Sequence, residues 1–112
     1  MINYLQCGSR TSEAEVYGGL VQIVGQIAND REAGVDGQIR HAETDAFLAK
    51  TGASKSRLAA INIFLPKIGN FEAANVGYDA WVDRDRLPAR ACVEARFADP
   101  NVSIEITPVT AV

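Results

Sequence analysis

Three side chains near the carboxyl end of the chain have the types and spacing to act on one small molecule. Arg90, Cys92 and Glu105 are a cation, a thiol and a carboxylate, each in a segment where apolar and polar residues alternate. Such alternation is typical of β-strands, because successive side chains point to opposite faces. If the two segments pair as an antiparallel hairpin with their apolar sets on one face, these three side chains share the other face.

A plainer interpretation exists for each of these residues. Arg90 and Glu105 could form a cross-strand ion pair on a solvated sheet face, which contributes about 0–1 kcal/mol to stability. Cys92 could act as a nucleophile only with a base beside it. The single histidine, His41, lies on the polar side of a predicted helix, so a passive cysteine is the better interpretation.

The first part of the chain predicts three strands. Residues 1–10 have a weak strand pattern that ends at Cys7-Gly8, and Gly18-Gly19 separates two apolar runs at about 12–17 and 20–27. A Gly-Gly pair supplies the positive φ angles of a tight hairpin turn. Gly25, inside the third strand, either forms a bulge or permits close approach of a ligand or another chain.

The rest of the chain predicts two helices and three more strands. Apolar residues recur every three or four positions over 35–50, with Gly52 as a C-cap, and the run 58–65 reads as a buried strand closed by Pro66. A second helix is expected to begin after Asn70 and to stop before Pro88. Asn75 falls on or beside its apolar stripe, where the plain interpretation is an amide bonded to a nearby loop.

The predicted order is therefore β-β-β-α-β-α-β-β in one domain, residues 1–112. This order predicts an α+β fold with a six-stranded mixed sheet and two amphipathic helices packed on one face. The other sheet face would lack a cover, with Arg90, Cys92 and Glu105 pointing away from the helices. We expect that face to be buried against other subunits.

Composition disfavours several classes of function. The net charge is −3, with 11 basic and 14 acidic residues that do not cluster, which disfavours nucleic acid as a partner. Two cysteines without metal-ligand spacing indicate a reduced compartment, the cytoplasm, and neither a metal nor an organic cofactor is expected. No stretch is long and apolar enough for a membrane span, and no export signal is recognisable.

The segment around the three side chains resembles a known family. Pro88-Ala89-Arg90-Ala91-Cys92-Val93-Glu94 followed by Ile104-Glu105-Ile106 is similar to the C-terminal signature of the RidA/YjgF family of enamine/imine deaminases, also called endoribonuclease L-PSP or translation initiation inhibitor. Arg, Cys and Glu have the spacing of that family, and the resemblance runs through most of the chain.

The resemblance implies a fold, an assembly and a site. It implies a chorismate-mutase-like fold and a homotrimer, with Arg90 binding the carboxylate of a 2-imino or 2-enamino acid and Glu105 holding the hydrolytic water. It adds Gly25, Asn75, Thr11 and the backbone of Cys92 as substrate-binding positions. The tyrosine of the family falls on Thr11 here and its serine on Val24, which implies a reshaped pocket.

Two functions of different classes follow. The first is a cofactor-free hydrolytic deaminase that releases ammonia and a 2-oxo acid from a small carboxylate substrate. The second is a non-catalytic protein that keeps the carboxylate-binding Arg90 and has lost the chemistry. An endoribonuclease ranks third, because an acidic chain without an aromatic and basic groove offers RNA little to bind.

Overall fold

The computed structural model describes residues 1–27, 34 and 54–112. The described residues form one sheet of six strands, one α-helix and two short 3₁₀ turns. The strands are β1 (Asn3–Cys7), β2 (Ser12–Tyr17), β3 (Leu20–Ile23), β4 (Leu58–Leu65), β5 (Ala89–Glu94) and β6 (Glu105–Ala111), the helix is α1 (Phe71–Trp81), and the turns are Lys55–Arg57 and Ile68–Asn70. The helix predicted over 35–50, with His41, lies outside the described residues.

The sheet is mixed, as the sequence predicted. Its strand order is β1-β2-β3-β6-β4-β5, and only β4 and β5 among these neighbours run parallel. Parallel neighbours need a crossover connection, and α1 supplies it. The hairpin between β2 and β3 is confirmed, because Gly18 and Gly19 take φ values of 56° and 78° in its turn.

The predicted hairpin between the segments of Arg90 and Glu105 is wrong. The strand β4 lies between β5 and β6 and pairs with both. β6 also starts later than expected and continues to Ala111. Alternation along a strand fixes which side chains share a face but not which strand lies next to it, so the chain pattern could not reveal that β4 is inserted.

The third strand is shorter than predicted. It ends at Ile23 and not near residue 27, and Gln26 then makes an isolated bridge to Ile106. Between these two pairings the chain advances four residues on this side, from Gln22 to Gln26, but only three on the partner side, from Val109 to Ile106. One extra residue is therefore inserted on this strand, which is a β-bulge next to Gly25.

The helix α1 packs on one face of the sheet, which we call the helix face. The main apolar cluster joins alternate strand residues to one side of α1: Leu58, Ile61, Ile63, Leu65, Ile104 and Ile106 with Ala74, Tyr78, Trp81 and Val82. A smaller cluster of Ala14, Val21 and Ile23 lies on the same face. The period-two pattern of β4 thus places its buried side chains under the helix.

The opposite face, which we call the open face, carries no helix in the described part of the chain. Phe64 of β4 pairs in register with Val93 of β5 and Glu105 of β6 on this face. Its other members in these three strands are small or uncharged: Ala60, Asn62, Ala89, Ala91, Thr107, Val109 and Ala111. The side chain of Val93 is 47% exposed, so this face presents apolar surface.

The helix α1 begins where predicted and ends earlier than Pro88 requires. Asn70 holds the N-cap position, but its side chain makes no capping hydrogen bond. After Trp81 the chain becomes extended at Val82, and the carboxylate of Asp83 accepts a hydrogen bond from the backbone N–H of Asp85. No helix in the described ranges is long and apolar enough to cross a membrane.

Candidate functional site

Arg90 is held by one side of α1. Its Nη2 atom donates a hydrogen bond of 2.8 Å to Oδ1 of Asn75. Its guanidinium carbon lies 4.7 Å from the ring centroid of Tyr78 and 5.7 Å from that of Phe71. These three helix residues are four and three positions apart, so they form one stripe on the helix surface.

This contact explains why a cation lies on the helix face. Arg90 pairs with the core residue Ile61 and is half-buried, at the edge strand of the sheet. The faces of aromatic rings attract a cation, which offsets part of its desolvation. Guanidinium has five N–H donors, and Asn75 is its only hydrogen-bond partner among the described residues, so donors remain for a ligand.

Tyr78 remains a neutral ring beside this cation. Burial raises the pKa of Tyr78 above its ordinary value of 10.0, and the positive charge of Arg90 partly offsets that rise. The sequence predicted that Asn75 lies on or beside the apolar stripe of this helix, but it did not predict that Phe71 and Tyr78 contact Arg90. Their spacing relative to Asn75 was the available signal.

Cys92 lies two residues further along β5, on the same helix face. It pairs with Ile63 and packs against the main apolar cluster. Burial raises the pKa of the Cys92 thiol above its ordinary value of 9.0, although Arg90 lowers it in part. A protonated thiol is a poor nucleophile, which agrees with the passive role that the sequence suggested.

Glu105 lies on the open face, against Gly25. A Cβ atom at Gly25 would lie 2.6 Å from Oε1 of Glu105 and 2.7 Å from its Cδ atom. Two hydrogen bonds between Gln26 and Ile106, of 2.7 and 3.0 Å, hold the two segments in this register. Gly25 therefore leaves room for the carboxylate of Glu105 within its own chain.

The prediction that Arg90, Cys92 and Glu105 share one face is wrong for a single chain. The registers through β4 place Arg90 and Cys92 with Ile61 and Ile63 on the helix face and Glu105 with Phe64 on the open face. Arg90 and Glu105 lie two strands apart across the sheet and three residues apart along the strand direction. These offsets together correspond to about 14 Å between their Cα atoms. A cross-strand ion pair between them is excluded as well.

Thr11 and Val24 line a different cavity. This cavity has a volume of about 540 Å³ and is formed around the connection between β1 and β2. Thr11 is exposed there, and its carbonyl oxygen accepts a hydrogen bond from the N–H of Gly8. Neither Arg90 nor Glu105 lines this cavity. Val24 does line it and directly precedes Gly25, so the cavity lies next to the contact between Gly25 and Glu105.

The described residues contain no metal-binding group. No three His, Cys, Asp or Glu side chains in the described ranges lie close enough together to hold an ion. Cys7 and Cys92 are both free thiols.

Comparison with known proteins shows the family of this chain. The sequence model of the family called endoribonuclease L-PSP matches residues 2–112. A RutC family protein of Haemophilus ducreyi is 32% identical over 114 residues, which cover 100% of this chain and 97% of that protein. A RutC family protein of Haemophilus influenzae is 34% identical, with coverage of 88% and 87%.

A solved structure extends the likeness to the fold. A member of the YjgF protein family from Neisseria meningitidis has a TM-score of 0.89 and 33% identity, over 99% of this chain and 94% of that one. The fold is thus the chorismate-mutase-like fold of YjgF proteins, as predicted. The chain belongs to the endoribonuclease L-PSP family, which is also the RidA/YjgF family.

Proposed function

We propose that this protein is a hydrolytic deaminase of 2-imino and 2-enamino acids. In this proposal Arg90 binds the substrate carboxylate, and Glu105 takes a proton from water as the oxygen adds to the imine carbon. The same carboxylate delivers that proton to nitrogen, which gives a carbinolamine. It then moves the proton of the new hydroxyl group to nitrogen, so that the C–N bond breaks, the C=O bond forms, and ammonia and a 2-oxo acid are released. No cofactor takes part.

The observation that carries the proposal is the setting of Arg90. Its guanidinium lies over two aromatic rings and is fixed by Asn75, yet it keeps donors for a ligand. The N–H donors of the planar guanidinium form a fork, which binds a carboxylate through two parallel hydrogen bonds. Cys92 borders it on β5, where its backbone can contact the same ligand.

The opposite placement of Arg90 and Glu105 leads us to propose a cleft between subunits of a homotrimer. One chain would supply Arg90, Asn75 and Cys92, and its neighbour would supply Glu105 and Gly25. The apolar open face, with Phe64 and Val93, is the surface that such an assembly would cover. Light scattering that found only a 12 kDa monomer at micromolar concentration would contradict this.

Two variants test the chemistry. Arg90→Lys keeps the charge and loses the fork, so substrate binding should weaken by about 1.5–3 kcal/mol. Glu105→Gln can hold a water but cannot transfer its proton, so turnover should fall by about 10²–10⁴ with little change in binding. Ammonia release from freshly generated imino acids measures both effects. Wild-type rates in both variants, with the oligomer intact, would refute the deaminase.

Mixing the two variants tests the shared cleft. If Arg90 and Glu105 come from different chains, random mixing of Arg90→Lys and Glu105→Gln subunits restores both wild-type groups in about one quarter of the clefts. If both groups act within one chain, mixing restores none. Activity that stays at the level of the separate variants, after subunit exchange is verified by mass spectrometry, would contradict the shared cleft.

A non-catalytic carboxylate-binding protein is the second candidate. It is favoured by Thr11 and Val24, since neither provides the aromatic wall or the serine hydroxyl that the RidA resemblance leads one to expect at these positions. Binding of 2-oxo acids without ammonia release from any imino acid would support this candidate over the deaminase.

A further inference from the structure

A second cation shares a cavity with Glu105. The connection between β5 and β6 forms a cavity of about 330 Å³, which is in the range of small-ligand sites. Glu105 and Arg96 both line it, and Ile27, Phe97 and Val102 give it apolar walls. Unlike Arg90, Arg96 is thus placed together with Glu105 within one chain.

Arg96 is available for a ligand. It is exposed and makes no hydrogen bond or ion pair with another residue of the described ranges, and among the described lining residues it is the only cation. The one other charged residue among the described lining residues, besides Glu105 and Arg96, is Asp99, whose Oδ1 accepts a hydrogen bond of 2.9 Å from the backbone N–H of Asn101. That carboxylate is therefore engaged in the turn of its own loop.

We infer that Arg96 binds a second carboxylate of the substrate and that the preferred substrates are 2-imino acids with an acidic side chain. The inference rests on the proposed function, in which Arg90 of a neighbouring subunit binds the first carboxylate and Glu105 faces the imine carbon. The cavity leads from Glu105 to Arg96, so a side-chain acid group meets a guanidinium there. Its apolar walls suit the methylene groups between the two acids.

Binding of stable 2-oxo acids tests the inference without turnover. Isothermal calorimetry on the intact oligomer compares 2-oxoglutarate with 2-oxobutanoate. The wild-type protein should bind the diacid roughly tenfold more tightly, Arg96→Ala should remove this preference, and Arg96→Lys should keep part of it. Arg86→Ala is the matched control, since Arg86 is exposed at the other end of β5 and lines none of the cavities described above.

Three binding results would overturn the inference: no preference for the diacid in the wild-type protein, an unchanged preference in Arg96→Ala, or an equal loss in Arg86→Ala. Turnover provides the second readout, as ammonia release from 2-iminoglutarate and 2-iminobutanoate. The ratio of their kcat/KM values should fall roughly tenfold in Arg96→Ala, while the value for 2-iminobutanoate stays within about twofold.

The two readouts separate this inference from the proposed function. Preferential diacid binding that depends on Arg96, without ammonia release from either imino acid, would leave the Arg96 site standing and refute the deaminase. Ammonia release with a substrate ratio independent of Arg96 would refute the Arg96 site alone.

Discussion

Replacement of Gly25 by alanine tests whether the position of the Glu105 carboxylate matters for turnover. A Cβ atom there would lie 2.6 Å from Oε1 of Glu105, whereas ordinary contacts begin at 3.4 Å. The carboxylate must therefore retreat by about 0.8 Å, the difference between these two distances. The clash involves the far end of a flexible side chain, so the fold itself can remain unchanged.

The expected loss is large in rate and small in stability. Misplacing a catalytic group by about 1 Å can cost on the order of 10² in rate. Gly→Ala at a position without a positive φ changes the free energy of unfolding by about 1 kcal/mol or less through the unfolded chain. Gly25→Ala should thus lower kcat roughly 100-fold while its urea midpoint stays near that of the wild-type protein.

The assay needs a control and a double variant. Gly69→Ala is the control, because a Cβ atom at Gly69 meets nothing within 4 Å. Under the proposed mechanism the Glu105→Gln variant has already lost the proton transfer, so adding Gly25→Ala should lower kcat little further. Ammonia release and oligomer size are measured for the wild-type protein and all four variants.

Two results would refute this reasoning. Gly25→Ala with wild-type kcat would show that the carboxylate position does not limit turnover. Full additivity with Glu105→Gln would show that Gly25 acts through another group.

Two further outcomes are expected, one for stability and one for thiol reactivity. Thr110 is fully buried, and its hydroxyl donates a hydrogen bond of 3.1 Å to the carbonyl oxygen of Arg57. Thr110→Val removes this donor and should lower the free energy of unfolding by about 1–3 kcal/mol, whereas Thr110→Ser keeps it and should lower it by less. Equal urea midpoints for the two variants would contradict this. At pH 7.5 iodoacetamide should label the exposed Cys7 well before Cys92. Because burial raises the pKa of Cys92 above its ordinary value of 9.0, the labelling rate of Cys92 should still be increasing with pH at about pH 9. Equal labelling of both thiols at pH 7.5, by mass spectrometry, would contradict the second.

Local patterns were sufficient to predict the elements. The run Leu58–Leu65 reads as a strand because it is apolar, β-branched and closed by Pro66, and the structure gives β4 those bounds. The Gly18-Gly19 turn and the start of α1 after Asn70 were equally readable. Each of these features depends on residues within a few positions of one another, which is the range over which backbone sterics and periodicity act.

Strand neighbours and sheet faces needed the tertiary structure. Ala91 and Val93 alternate with Arg90 and Cys92, so the sequence favoured the two apolar residues as the buried set. The structure reverses this choice, because Phe71, Asn75 and Tyr78 of α1 accept a guanidinium over β5. That environment is assembled from helix residues 12 to 19 positions earlier in the chain, which no pattern within the strand contains.

The sequence by itself determined which chemical groups this protein has and the family to which they belong: Arg90, Cys92 and Glu105 at fixed spacing. The tertiary structure alone decided that β4 separates β5 from β6, that Arg90 and Glu105 lie on opposite faces, and that Arg96 shares a cavity with Glu105. The physical reason is that alternation specifies two faces for each strand, whereas the strand beside it is chosen by long-range packing and by the α1 crossover.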